Sequence, residues 1–261
     1  MKKSVYKLFI SFIFIFLYSP IVLLIINSFN ASKSRVVWGG FTLDWYKLLF
    51  NDSSILQAFQ NTIFIAIISS IISTILGTLA CIGLVNSKKI WKFTFMNVTN
   101  VPMVNPEIVT GISSMLFFVM SYKFIGIFKP GLLTLIITHS TFCAPYVFLS
   151  VLPKIQQMTP QIFEAAQDLG CTSLQAFRKV ILPEIMPGIF SGVIMSLTMS
   201  LDDFTISYFT SGNIQTLPLA IYSMTRKSIS PEINALSTVF FLTILVLLII
   251  INIKNEKVDL V

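Results

Sequence analysis

Residues 164–183 read EAAQDLGCTSLQAFRKVILP, a polar, charged stretch in a chain otherwise dominated by long apolar runs. Thr159-Pro160 just ahead of it is a helix-start signal. The Thr hydroxyl can accept an orphan backbone N–H, and Pro is tolerated at the first helical position, where the missing donor costs nothing. A short helix is expected to run to about Leu169, with Gly170 supplying the left-handed backbone that ends it. Thr172 and Gln175 have capping-box spacing, and Leu174, Phe177 and Ile181 follow at helical intervals until Pro183 interrupts the pattern. The stretch therefore predicts helix, glycine turn, helix. Ala165 and Ala166 are expected on the inner faces, while Glu164, Asp168, Arg178 and Lys179 stay available to a polar partner.

What surrounds this hairpin is membrane. Of the 261 residues 55% are hydrophobic and only 11% charged, against roughly 25% charged in soluble domains, and the mean hydropathy is +0.84. A bilayer-spanning helix needs about 20 mainly apolar residues. Six segments qualify, at about 8–27, 61–85, 93–120, 131–151, 185–209 and 236–253. The chain reads as a single helical membrane domain of 261 residues, with 159–183 as a cytoplasmic loop between the fourth and fifth segments.

The first segment follows Lys2, Lys3 and Lys7, so a signal peptide is the competing reading. Its apolar run exceeds a usual signal core of about 7 to 15 residues and no A-x-A-like site follows, so a retained helix is expected. With the amino terminus in the cytoplasm, Lys2, Lys3, Lys7, Lys88, Lys89, Lys92, Lys154, Arg178, Lys179, Lys254 and Lys257 fall inside. Lys33, Arg35, Lys47, Lys123, Lys129, Arg226 and Lys227 fall outside. The basic excess on the inner side supports this topology, with both termini cytoplasmic. The net charge of +7 then reflects topology and contact with anionic lipid, since neither a basic recognition helix nor an aromatic platform for nucleic acid is present.

Cys81, Cys143 and Cys171 lie in separate segments without CxxC spacing and read as small apolar residues. His139 lies in the fourth segment. A proton relay is conceivable there, but a packed, hydrogen-bonded imidazole is the plainer reading. The sequence has no GxxxxGK[ST] phosphate loop, no HExxH and no GxSxG, so it offers no grounds for ATP binding or hydrolytic chemistry of its own. It implies no cofactor, metal or catalytic residue.

Three acids fall well inside the predicted spans, Glu107 in the third and Asp202 with Asp203 in the fifth. An acid at the bilayer centre costs about 2.5 to 3.5 kcal/mol on insertion scales, so these groups should face a polar cavity or a partner. Glu107 follows Pro102, Asn105 and Pro106, and each proline removes a backbone donor, so a kink or break is expected. Such breaks at membrane depth survive where they line a cavity. The alternative is that the first part of this 28-residue segment, about 42 Å if helical, lies in the interface. On a continuous helix Asp202 and Asp203 point about 100° apart, so both cannot face one narrow lumen. Pairing of one or both with a buried cation, or with backbone or hydroxyl groups such as those of Ser200 and Thr205, is the competing reading. Phe204, Tyr208 and Tyr222 read as packing residues, although cation–π contact with an ammonium is available to them. Carboxylates and aromatics suit an organic cation better than an oxyanion.

The sequence EAA at 164–166, then Gly170 after three intervening residues, then Leu182-Pro183, resembles the EAA loop of ABC importer permeases. The resemblance implies an all-α membrane protein with six transmembrane helices in the type I importer architecture. Its loop would be a coupling helix seated in a groove of a cytoplasmic ATPase subunit. Glu164 would make polar contacts there, Ala165 and Ala166 would permit close packing, and Gly170 would set the turn, with Asp168, Phe177, Leu182 and Pro183 in the same coupling segment. Cys171 departs from the pattern, where a small residue such as Ala is common.

SLDDFTISYFTSG, from Ser200, then TLPLAIYSMTRKSISPEINALST, from Thr216, and TLDWYKLLF at 42–50 resemble the permeases of spermidine/putrescine ABC importers over nearly the whole chain. That implies a substrate pathway touching Trp45 and Glu107, with Asp202, Asp203 and Tyr208 as further candidates. Glu107 departs from the Asp expected there. The implied partners are two ATPase subunits, a sibling permease completing a heterodimeric pore, an external substrate-binding protein and the lipid bilayer of the bacterial cytoplasmic membrane. The competing readings are a permease of the same class for thiamine, an iron chelate or an opine, and, from another class, a secondary transporter or channel.

Overall fold

The computed structural model describes residues 2–32, 37–85, 87–159, 161–227 and 231–259. Lys33, Arg35 and Pro160 lie outside the described residues, as do 228–230 and the side chains of Lys2, Lys3, Lys227, Lys254 and Lys257. The regular elements of the described chain are helices: α1 (Lys2–Ser28), α2 (Asp44–Asn51), α3 (Ser53–Val85), α4 (Lys89–Val104), α5 (Glu107–Ile125), α6 (Leu132–Gln157), α7 (Gln161–Asp168) and α8 (Ser173–Ala176). A π turn (Phe177–Ile181) leads into α9 (Leu182–Asp202), followed by α10 (Thr205–Thr210), α11 (Leu217–Lys227) and α12 (Glu232–Asp259). Among the described residues there is no strand, only one isolated bridge between Asn30 and Phe41.

Six helical stretches are long and apolar enough to cross a membrane, at Tyr6–Ser28, Ser53–Leu84, Glu107–Ile125, Leu132–Gln157, Ser173–Asp202 and Glu232–Ile251. They correspond one to one with the six predicted segments, with two corrections. The predicted third segment, 93–120, is not one helix. Asn105 (φ −75°, ψ 136°) and Pro106 (φ −56°, ψ 133°) are extended, so α4 ends at Val104 and the span proper begins at Glu107. Proline disfavours the α conformation in the residue before it, and here the break falls at Asn105. The predicted fifth segment, 185–209, ends early: the helix stops at Asp202, and α10 is a separate short helix.

Packing within the chain gathers into two compact units, Met1–Ala58 with Leu219–Val246, and Phe59–Pro218 with Leu247–Val261. In the first, the loop after α1 is organised by Asn30. Its Oδ1 accepts the Ser32 and Gly39 amides at 3.0 and 2.8 Å, and its Nδ2 donates to the Val37 carbonyl at 2.9 Å. The Ser28 and Tyr46 hydroxyls meet at 2.6 Å, and the Phe29 ring stacks on Phe41. The apolar window of α1 buries nothing against the rest of the chain, as befits a helix whose solvent is lipid.

In the second unit α6 is the most enclosed span and lies along α9. Cys81 and Leu84 of α3, Val147, Phe148 and Val151 of α6, and Ile185 of α9 form one buried cluster. Between apolar helices in lipid, close approach and hydrogen bonds hold the contact, because burial gains little over the lipid itself. A Cβ on Gly77 would stand 2.9 Å from the Ala144 carbonyl oxygen, and one on Gly192 3.2 Å from the Val147 Cα. The Ser73 and Ser196 hydroxyls meet at 2.6 Å, and Ser70 donates to the Val193 carbonyl at 3.3 Å. Cys143 donates to the Ser196 carbonyl at 3.5 Å and, like Cys81, is buried.

Candidate functional site

The hairpin at 161–183 is built as its residues dictate. At the end of α7, Gly170 takes φ +89°. Its amide donates to the Gln167 carbonyl at 2.8 Å and the Cys171 amide to the Ala166 carbonyl at 3.1 Å, the paired bonds of a Schellman ending. The capping box then starts α8, with the Gln175 amide on Thr172 Oγ1 at 3.3 Å and the Thr172 amide on Gln175 Oε1 at 3.0 Å. Ala166 and Ala176 are buried where α7 meets α8 and the π turn. Ala165 differs from the expectation that both alanines face inward: one residue is about 100° of helix, and it is exposed.

Pro183 also behaves differently from the predicted interruption. The chain stays helical from Ser173 to Asp202. Proline lacks the N–H that would bond the carbonyl four residues back, and just before it the Leu182 amide reaches the Phe177 carbonyl, one residue further than in an α-helix. The wide turn carries the helix past Pro183 without ending it. The tip of the hairpin exposes Leu169 (88%) and Leu174 (65%), flanked by exposed Glu164, Asp168, Arg178 and Lys179, while Phe177 and Leu182 are half-buried.

The buried acids separate by environment. Asp203 leaves the end of α9 in an extended conformation, and its carboxylate accepts the Ile206 and Ser207 amides at 3.1 and 2.8 Å, capping α10. Its Oδ2 is also 3.4 Å from His139 Nε2, and its side chain is 2% exposed. His139 is completed by the Ser200 hydroxyl at 2.8 Å and the Ser207 hydroxyl at 3.0 Å, so this imidazole ties α6 to α9 and α10. Asp202 and Glu107 are both exposed within the chain. They lie close enough for their charges to act on one another, and Glu107 also acts on Tyr146. Gly111 makes the approach of α5 to α10 possible, since a Cβ there would stand 2.8 Å from the Phe209 ring. Tyr208 on α10 is 52% exposed, with its ring 5.7 Å from Phe204 and 5.3 Å from Phe209.

Trp45 belongs to the other unit, where its indole N–H donates to the Asn30 carbonyl at 2.8 Å. One residue before it, Asp44 accepts from Lys47 and Thr42, and the lysine above all holds this carboxyl below the usual range. Tyr222 of the same unit has the Arg226 guanidinium 5.4 Å above its ring. Among the described residues no cluster could hold a metal ion.

Sequence reasoning passed over one feature. On α4, Asn97, Asn100, Val101, Val104 and the capping Asn105 line an open cleft of about 360 Å³. The signal available in the sequence was three asparagines in nine residues of a supposedly apolar span.

Over residues 73–259 the chain matches the family described as binding-protein-dependent transport system inner membrane component. It is 38% identical over 242 residues to the spermidine/putrescine transport system permease protein PotC of Escherichia coli (strain K12), covering 92% of this chain and 90% of that one. It is 40% identical over 230 residues to the putrescine transport system permease protein PotI of the same organism, covering 86% and 81%. Among solved structures, a bacterial ABC transporter involved in the import of the acidic polysaccharide alginate aligns with a TM-score of 0.76 at 18% identity, over 98% of this chain and 94% of that one. The MetNI methionine ABC transporter aligns with a TM-score of 0.62 at 16% identity, over 84% and 97%.

Proposed function

We propose, because the chain belongs to the family of binding-protein-dependent transport system inner membrane components, that it is the permease subunit of an ATP-driven polyamine importer. The observation that carries the cargo is the 38% identity, across 92% of this chain, to a permease of a spermidine/putrescine system. The sign of the exposed acids agrees, since Glu107 and Asp202 offer carboxylates where an oxyanion would need cations.

On this reading residues 1–261 form one permease domain with both termini cytoplasmic, and a sibling permease completes the pore. Two ATPase subunits hydrolyse the nucleotide, as the sequence carries no GxxxxGK[ST] loop. An external binding protein delivers the cargo. The hairpin tip, with Leu169 and Leu174 between Glu164 and Asp168, docks on the ATPase. Ala166 and Gly170 hold that tip rigid, and the continuous helix from Ser173 to Asp202 joins it mechanically to the acid pair. ATP binding then biases a two-state element, with inward and outward states exchanged as the ATPases close and open. Glu107 and Asp202 act as transient counter-charges, which must hold the cation weakly enough to release it.

The test is uptake of labelled spermidine by vesicles containing the complete complex, in competition with putrescine, thiamine and ferric chelates. Polyamines should compete and the others should not; competition by thiamine or a chelate overturns the cargo. Glu107→Gln removes a charge-assisted contact worth about 1.5 to 3 kcal/mol, so uptake should fall about tenfold or more with the complex intact. Undiminished uptake by that variant removes Glu107 from the pathway.

A further inference from the structure

We propose that His139 is a positioning residue for transport: by holding Asp203 and Ser207 it fixes how α10 leaves the end of α9, and so where Asp202 and Glu107 stand relative to one another. This deepens the permease reading and rests on its assignment of those two acids as counter-charges. An imidazole inside a membrane-spanning helix is costlier to bury than a leucine. Nor is it needed to bring α6 and α9 together, since Gly188 and Gly192 already let the two backbones approach. What hydrogen bonds add is direction. Both ring nitrogens of the buried His139 are engaged: Nδ1 meets the Ser200 hydroxyl of α9 at 2.8 Å, and Nε2 points between the Ser207 hydroxyl at 3.0 Å and Asp203 Oδ2 at 3.4 Å. A carboxylate only accepts, so the hydrogen lies on Nε2. One side chain of α6 thus spans the last turn of α9, the break and the first turn of α10.

Helix α10 depends on such contacts. It has 6 residues, and an isolated helix needs about 12 to 15 to be even marginally stable, so its seat is set from outside. Asp203 caps its first turn and His139 holds that cap, while at the far end Thr134 of α6 donates to the Thr210 carbonyl at 2.9 Å. Ile206, Ser207 and Thr210 are buried by this seating, and Tyr208 stays on the open side. Both acids follow from it. The chain turns at Asp203 (ψ 117°), which sends that carboxylate inward and leaves Asp202, the residue before it, exposed. Glu107 opens α5, and Gly111 lies one turn further along the same face. Gly111 is where α5 meets α10, for a Cβ there would stand 2.8 Å from the Phe209 ring and 3.4 Å from the Thr205 carbonyl oxygen. A shift of α10 therefore moves one acid through the chain and the other through packing.

The experiment measures labelled spermidine uptake by the complete complex in proteoliposomes, per complex that retains its sibling permease and ATPase. His139→Leu, which fills the space without hydrogen bonds, should lower uptake about tenfold. His139→Gln, whose amide can still donate toward Asp203 and Ser207, should restore most of it. The decisive readout is the cycle with Asp202→Asn. Because His139 acts through Asp202, the double variant should fall no further than Asp202→Asn alone, whereas two independent tenfold losses would multiply to about a hundredfold. Multiplied losses, wild-type uptake in His139→Leu, or a His139→Gln variant no better than leucine overturns the proposal. If His139→Leu yields too few assembled complexes to assay, Ser200→Ala, which removes only the partner of Nδ1, goes through the same cycle. A loss that disappears in the Asp202→Asn background supports the proposal there too, and a multiplied loss or none overturns it. Wild-type uptake in Asp202→Asn alone sinks the underlying reading of the acids instead.

Discussion

At Asp203 the chain leaves α9 and the carboxylate turns back onto the Ile206 and Ser207 amides, with His139 at its open side. Each group in this knot satisfies another, and in a low dielectric a half-satisfied knot costs more than none. Asp203→Ala leaves two amides and a buried imidazole short of an acceptor, at about 1 to 3 kcal/mol for each buried group left unsatisfied. The melting temperature of the detergent-extracted chain should therefore drop by several degrees. Asp202→Asn, at an exposed position, should stay within about 0.5 kcal/mol of wild type and lower polyamine uptake instead. Equal melting of the two variants would contradict this division. The sequence named all three acids, and cost alone told that they must be partnered. It did not tell which acid, because Asp203 meets His139 across 64 positions with no spacing to announce the pair.

Helix α7, the glycine turn and α8 were legible because capping chemistry is local: Gly170, Thr172 and Gln175 act on amides within five residues. The six spans were legible because hydrocarbon thickness sets a minimum apolar length. Their ends were less so, since a helix that has left the hydrocarbon need not stay apolar. Thus α6 runs on to Gln157 and α3 begins at Ser53. The short helices α2 and α11 escaped for the same reason, being too short to register as apolar runs. Pro183 misled because a π turn, which depends on the helix around it, absorbs the missing donor. A β-branched residue at φ +89° is strained by about 1 to 3 kcal/mol, so Gly170→Val should unfasten the end of α7 while sparing the membrane helices. Binding-protein-stimulated ATP hydrolysis should fall several-fold, and less ATPase should co-purify, with the chain still in the membrane. Retention of full stimulation would mean the turn is not part of the coupling path.

Across the whole molecule, the three native cysteines provide a test of topology and docking that needs no substitution. Cys81 and Cys143 are buried inside the helix packing, while Cys171 is partly exposed in the turn after Gly170. Thiol reactivity follows access to the thiolate, so a membrane-impermeant maleimide should modify one site per chain and only from the face on which the hairpin lies. On the proposed topology, which the excess of basic residues supports, that face is cytoplasmic. Right-side-out vesicles should leave the chain unmodified, and inside-out vesicles should modify Cys171. Adding the ATPase to stripped inside-out vesicles should slow the reaction several-fold, because the proposed docking surface includes exposed Leu169 and Leu174, on either side of this thiol. Modification from the external side would invert the topology, and modification of two or three sites would contradict the packing around α6. An unchanged rate with the ATPase bound would move the docking surface away from residues 164–183, and the mechanical link from motor to acid pair would have to run through another loop.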